Sequence, residues 1–114
     1  MGARTNFELR DSKGSVWLYS HWGGDSKMND LANALEKAES RWDDITYGMR
    51  IVVSQLIGSD WDSETGFGIS SYEAGEESYE PVCVDFTNKT VSSDTFNLDF
   101  QSFINIYAKH LTNV

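Results

Sequence analysis

Apolar and polar positions alternate over residues 6–10 (Asn-Phe-Glu-Leu-Arg), placing Phe7 and Leu9 on one face and predicting a half-buried strand. Asp11-Ser12-Lys13-Gly14 has turn chemistry. Residues 15–22 then predict a second strand that is bulky on both sides. Val16, Leu18 and Trp22 share one face with Ser20, while Trp17, Tyr19 and His21 share the other. Such a strand belongs inside a sheet rather than at its edge.

Beyond Gly23-Gly24 the period changes from two to nearly four. Met28, Leu31, Ala32, Leu35, Ala38 and Trp42 form one helical stripe, with Lys27, Asp30, Glu36, Lys37 and Glu39 mostly turned away from it. Asp25 or Ser26 is suited to cap this helix, and Asp43 or Asp44 a second one. The second stripe runs Ile45, Met49, Val52, Val53, Leu56 and stops at Gly58, where a helix-ending glycine is expected. Three short strands follow, around residues 66–72, 82–86 and 90–92. Phe100, Phe103, Ile104, Tyr107, Ala108 and Leu111 make a last helical stripe, with Asp99 as its cap. The order β-β-α-α-β-β-β-α predicts an α+β fold: an antiparallel sheet of about five strands, with two central helices and a C-terminal helix packed on it. At 114 residues the whole chain, 1–114, is expected to be a single domain.

Composition narrows the chemistry. One cysteine, Cys83, excludes an internal disulfide framework and a multi-cysteine zinc site, and two histidines, His21 and His110, exclude a His-rich metal site. No apolar run approaches the roughly 18–20 residues that span a bilayer. Residues 1–6 lack a signal-peptide apolar stretch, so a cytoplasmic protein without membrane association is expected.

The net charge is −9, which argues against direct nucleic-acid binding. The acids are unevenly placed. Residues 59–85 carry Asp60, Asp62, Glu64, Glu73, Glu76, Glu77, Glu80 and Asp85, without a lysine or arginine among them. One reading is a solvated loop that keeps the protein soluble; the other is a patch facing a basic protein surface.

Candidate binding residues fall in three places. Tyr19-Ser20-His21-Trp22-Gly23-Gly24 leads from a strand into a helix N-terminus, where backbone amides and the helix dipole favour an anion. Gly23 and Gly24 allow close approach, and Tyr19 or Trp22 offers a stacking surface. In Arg41-Trp42-Asp43-Asp44, with Tyr47 and Arg50 further on, two guanidinium groups suit bidentate phosphate binding. Asp43 and Asp44 are equally suited to pair with those arginines. Glu64-Thr65-Gly66-Phe67-Gly68 sets glycines around a strand start, adding Thr65 and Gly66 to the candidate set.

Other signals are weaker. Asp60-x-Asp62-x-Glu64 lacks the glycine and the bidentate glutamate of a calcium loop, since Thr65 and Ser71 stand there. Cys83, in a β-branched strand, reads as a core residue. No nucleophile–base–acid set assembles around either histidine. Catalytic residues, a metal and a cofactor are therefore not expected, and the one catalytic alternative is a small hydrolase using His21 and a carboxylate.

The three ordered segments Tyr19–Gly24, Arg41–Asp44 with Tyr47 and Arg50, and Glu64–Ser70 resemble a family of small uncharacterised tailed-phage proteins. The similarity runs from about Val16 to about Val91, departing at Ser20, where threonine is expected, and in the acidic 73–80 loop. It implies a phage accessory protein acting in the host bacterial cytoplasm, and it brings no activity of its own. Two functions fit the residues, the first being the expected function and the second its alternative. One is a host-defence antagonist, a sponge that sequesters a small phosphorylated nucleotide-like immune signal using Tyr19, His21, Trp22, Gly23, Gly24, Arg41, Tyr47, Arg50, Thr65 and Gly66. The other is an acidic inhibitor that covers a nucleic-acid-binding site on a host defence enzyme through residues 59–85. Homo-oligomerisation is compatible with either.

Overall fold

The Asp11 carboxylate accepts hydrogen bonds from the backbone N–H groups of Lys13 (2.7 Å) and Gly14 (3.2 Å), so the Asp-Ser-Lys-Gly turn closes on its own first residue. It joins β1 (Thr5–Asp11) to β2 (Gly14–Ser20) as an antiparallel hairpin with Phe7 opposite Leu18 and Leu9 opposite Val16. The protein is seen here in a computed structural model that describes residues 3–75 and 79–108. Glu76, Glu77, His110 and Leu111 lie outside the described residues.

The two central stripes become α1 (Lys27–Lys37) and α2 (Ile45–Ile57), separated by a 3-10 turn at Glu39–Arg41. A second 3-10 turn at Gly58–Asp62 leads to β3 (Phe67–Ser70). Further along come β4 (Val82–Asp85), β5 (Thr90–Ser92), β6 (Asn97–Asp99) and α3 (Phe100–Tyr107). Leu31, Ala32, Leu35 and Ala38 are buried, as the first stripe requires, and Val52 anchors the second. Helix α1 is central in its layer and contacts both α2 and α3. Phe7, Leu9, Leu18, Val82, Val84 and Val91 meet the helices from the sheet in one continuous core.

The fold is α+β, with a sheet that differs from the expected one in two respects. Among the described residues it has six strands, in the order β3-β2-β1-β4-β5-β6, and it is mixed rather than purely antiparallel. Strand β4 runs parallel to β1, with Phe7 beside Val82 and Leu9 beside Val84. The cause is the connection over residues 71–81, which carries the chain from the β3 edge, past β2 and β1, to the far side of β1. A parallel pairing needs such a crossover, and alternation within a strand carries no trace of it.

That crossover lies in the acidic segment, and its described residues on either side of 76–78 are tied to the chain around the start of β1. The Asn6 side-chain amide donates to the Ala74 carbonyl (2.9 Å), while Ala74 N–H donates to Asn6 Oδ1 (3.4 Å). Tyr79 N–H donates to the Arg4 carbonyl (3.0 Å). Lys27, expected on the outer face of α1, is buried instead. Its ammonium lies 5.9 Å from the Phe7 ring centroid and donates to Thr5 Oγ1 (2.7 Å) and to the Glu80 carbonyl. A buried ammonium needs such oxygen partners.

Helix ends also depart from expectation. Ser26 precedes α1, but its hydroxyl donates to Asp30 Oδ2 (2.7 Å) instead of capping the backbone. Asp44 precedes α2 without a capping bond. Asp99 does cap α3, accepting from Ser102 N–H at 2.7 Å.

Candidate functional site

Where β2 ends, the chain turns sharply and exposes aromatic surface. His21 N–H donates to the Gly66 carbonyl (2.9 Å), and Gly23 N–H donates to Ser20 Oγ (2.9 Å). The Tyr19 hydroxyl and His21 Nδ1 are hydrogen-bonded at 3.0 Å. Trp22 stands edge-on to His21, with ring centroids 5.1 Å apart, and is 59% exposed. It covers Gly66, whose φ of +104° favours glycine and where a Cβ would lie 2.8 Å from the indole ring. Tyr19, His21, Trp22, Gly23, Gly24 and Gly66 are therefore one cluster, with the exposed Thr65 beside it.

The arginine set is elsewhere. Arg41 stacks on Tyr47, its guanidinium carbon 5.4 Å from the ring centroid, and pairs with Asp44 at 3.6 Å. Its carbonyl packs against Gly48, at which a Cβ would also lie 3.0 Å from the Phe86 ring. Phe86 N–H in turn donates to the Arg10 carbonyl. Ser20, by contrast, sits opposite Thr5, at the other end of β1. Five residues of strand at about 3.3 Å each set these two ends of β1 roughly 16 Å apart. Arg50 is exposed on α2.

Within one chain, the expected pocket holding His21, Trp22, Arg41, Tyr47 and Arg50 thus divides into two surfaces. The physical reason is helix direction. Helix α2 starts beside Phe86 and runs toward the Trp22 end, so its first turns are carried to the opposite end of the sheet.

At the Trp22 end, a pocket of about 210 Å³ is bounded by Trp22, Gly23, Ser26, Asp30, Asp60 and Phe67. Its charged lining is two carboxylates. A second pocket of about 200 Å³, on the other side of Phe67, is bounded by Ile57, Asp60, Trp61 and Ile69. A third, of about 280 Å³, lies between Gly24, Asp25, Met28, Tyr79 and Glu80, with the held ammonium of Lys27 in its wall. The Tyr79 ring packs on Gly24, and its hydroxyl donates to Asp25. That bond holds the phenol's pKa above its usual value.

At the Trp22 end, carboxylates thus stand beside large exposed side chains. Asp30 and Asp60 border the pocket of Trp22, Asp60 also borders that of Trp61 (54% exposed) and Ile69 (57% exposed), and Asp25 and Glu80 line the neighbouring pocket at Gly24. At the opposite end, Arg41 is matched by Asp44, and Lys89 by Asp43 at 2.9 Å. Asn6, Lys27, Tyr79 and Trp61 escaped the sequence reading. Trp61, one of four tryptophans and flanked by Asp60 and Asp62, was the one with a visible signal.

Cys83 lies on the sheet face away from the helices, in a pocket of about 250 Å³ with Glu8, Pro81 and Ser92. Glu8 accepts from Arg10 (3.2 Å) and from Ser15 Oγ (2.6 Å). Burial, reinforced by the Glu8 carboxylate, pushes the thiol up to about 11, so it stays protonated and unreactive at neutral pH. Among the described residues no group of three or more His, Cys, Asp or Glu is placed to share a metal ion, and no helix is long and apolar enough to cross a membrane. Compared with known proteins, the chain matches no family model, no curated protein and no solved structure.

Proposed function

We propose that this chain is a non-catalytic interaction protein whose acidic, aromatic end engages a basic surface on a partner protein. The observation that carries the reading is that Asp30 and Asp60 border the pocket of the exposed Trp22 and Asp60 also borders that of the exposed Trp61, with Asp62 and Glu64 following in the chain. Exposed tryptophan supplies large contact area at low entropic cost, and carboxylates around it steer a cationic partner. Together with the resemblance to tailed-phage proteins, this favours a phage accessory protein in the host bacterial cytoplasm that covers a basic, nucleic-acid-binding site of a host defence enzyme.

Sequestration of a phosphorylated nucleotide draws less support. It needs cations facing the ligand, whereas the pocket at Trp22 is lined by Asp30 and Asp60 and lies at the other end of β1 from Arg41.

A photo-cross-linking residue placed at Trp61, and separately at Tyr47, tests the reading in infected cells. Position 61 should capture a specific partner that salt releases steeply, and position 47 should not. Thermal shift against linear and cyclic nucleotides should show no stabilisation. Stabilisation that Arg41→Ala abolishes would restore the nucleotide reading.

A further inference from the structure

We infer that the outer edge of β3 is the docking line at this acidic end, and that its occupant is an extended basic segment of the partner, added to the sheet as a seventh strand. The inference rests on the acidic-end reading and specifies how that end would recognise its partner.

The hydrogen-bond register identifies the free groups. His21 N–H donates to the Gly66 carbonyl, and residues 21 and 66 stand opposite one another in the register that pairs Ser20 with Phe67. Hydrogen-bonded pairs alternate along an antiparallel ladder, so Gly66, Gly68 and Ser70 bond to β2. The N–H and C=O groups of Phe67 and Ile69 therefore face outward. No described strand lies beyond β3.

Edge strands are ordinarily guarded by lysine, proline or a bulge. Phe67-Gly68-Ile69-Ser70 has no charged residue and no proline. An added strand would bond to Phe67 and Ile69 and set its alternate side chains on the face where those two residues point. That face carries the pocket formed by Asp60, Trp61 and Ile69, and Asp60 also borders the pocket beneath Trp22. Asp62 and Glu64 lead into the strand, and residues 59–85 contain no lysine or arginine to oppose a cation. Backbone bonding of this kind supplies affinity, and the flanking pockets supply the choice of side chain. Charge complementarity selects arginine or lysine at the alternate positions.

The probe is a capped Arg-Val-Arg-Val-Arg-Val peptide, compared with its Glu-Val counterpart and with a form N-methylated on the bonding edge. Binding is read by NMR shifts and by hydrogen exchange of the Phe67 and Ile69 amides. The basic peptide should bind and protect both amides. N-methylation, or Ile69→Pro, should weaken it by about tenfold or more, since each removes a backbone bond at the interface. Ile69→Pro spares the β2 ladder because the Ile69 N–H points away from it, and the N-methylated peptide gives the same test with the protein unchanged. The combined variant Asp60→Asn, Asp62→Asn, Glu64→Gln should weaken binding and flatten its salt dependence.

The inference is overturned if the basic peptide fails to bind, if it binds without protecting Phe67 and Ile69, or if the Glu-Val peptide binds equally. Protection of those amides by the protein alone at high concentration would instead make a second copy the occupant and overturn it too. If the carboxylate variant weakens binding while N-methylation and Ile69→Pro do not, the edge is wrong and the acidic end stands. If the carboxylate variant changes nothing, the acidic-end reading itself fails.

Discussion

The indole of Trp22 occupies the space that a side chain at Gly66 would need: a Cβ there would come within 2.8 Å of the ring. One glycine thus lets the end of β2 and the start of β3 close on each other, with His21 N–H bonded to the Gly66 carbonyl beneath the ring. Because Gly66 also holds φ at +104°, two independent penalties meet at one position.

Gly66→Ala should therefore destabilise the fold by about 1–3 kcal/mol, through backbone strain and displacement of Trp22. Chemical denaturation measures the loss. A shift in tryptophan emission that Trp22→Phe removes would identify the displaced ring.

Leu35 is fully buried between the helices and the sheet, whereas Val53 only packs against the core from the side. Leu35→Ala should cost about 2–5 kcal/mol and Val53→Ala about 1 kcal/mol or less, because a cavity opens only where the neighbours cannot relax. Equal losses would contradict this placement of the two stripes.

Lys27 holds the end of the crossover by donating to Thr5 Oγ1 and the Glu80 carbonyl. Lys27→Met keeps the volume near the Phe7 ring but leaves the buried Thr5 hydroxyl without this donor. It should destabilise the protein by about 1–3 kcal/mol and speed amide exchange at residue 79 more than in α3. Uniform change across the chain would show that Lys27 does not act through the crossover.

The Cys83 thiol is raised by burial from an ordinary value of 9.0 to about 11. A raised value means that the folded protein keeps a proton which the unfolded chain gives up. Its contribution to stability is whole below pH 9.0 and is lost as pH rises toward about 11. Melting temperature should fall more steeply over this window in the wild-type protein than in Cys83→Ala. Alkylation of the folded protein at neutral pH should be slow, and unfolding should accelerate it.

Local chemistry was legible along most of the chain. The hairpin around Asp11, the stripes of α1 and α2, the stop at Gly58 and the Asp99 cap each depend on residues within a few positions of one another, so periodicity and turn chemistry reveal them directly. The cluster of Tyr19, His21, Trp22, Gly23 and Gly24 was legible for the same reason, being one stretch of chain. The acidity of residues 59–85 was equally plain.

Tertiary structure decided everything that depended on direction and on long-range pairing. Whether Arg41 and Tyr47 stand beside Trp22 depends on which way α2 runs over the sheet, and it carries them to the other end. Whether residues 71–81 are a solvated loop or a crossover depends on β4 pairing with β1, a contact between positions more than seventy residues apart. The burial of Lys27 and the service of Asn6 to Ala74 follow from that crossover. The composition of the acidic segment is a property of the chain alone. The placement of Asp60 beside Trp22 and Trp61, near an open strand edge, comes from long-range packing, which no local pattern encodes.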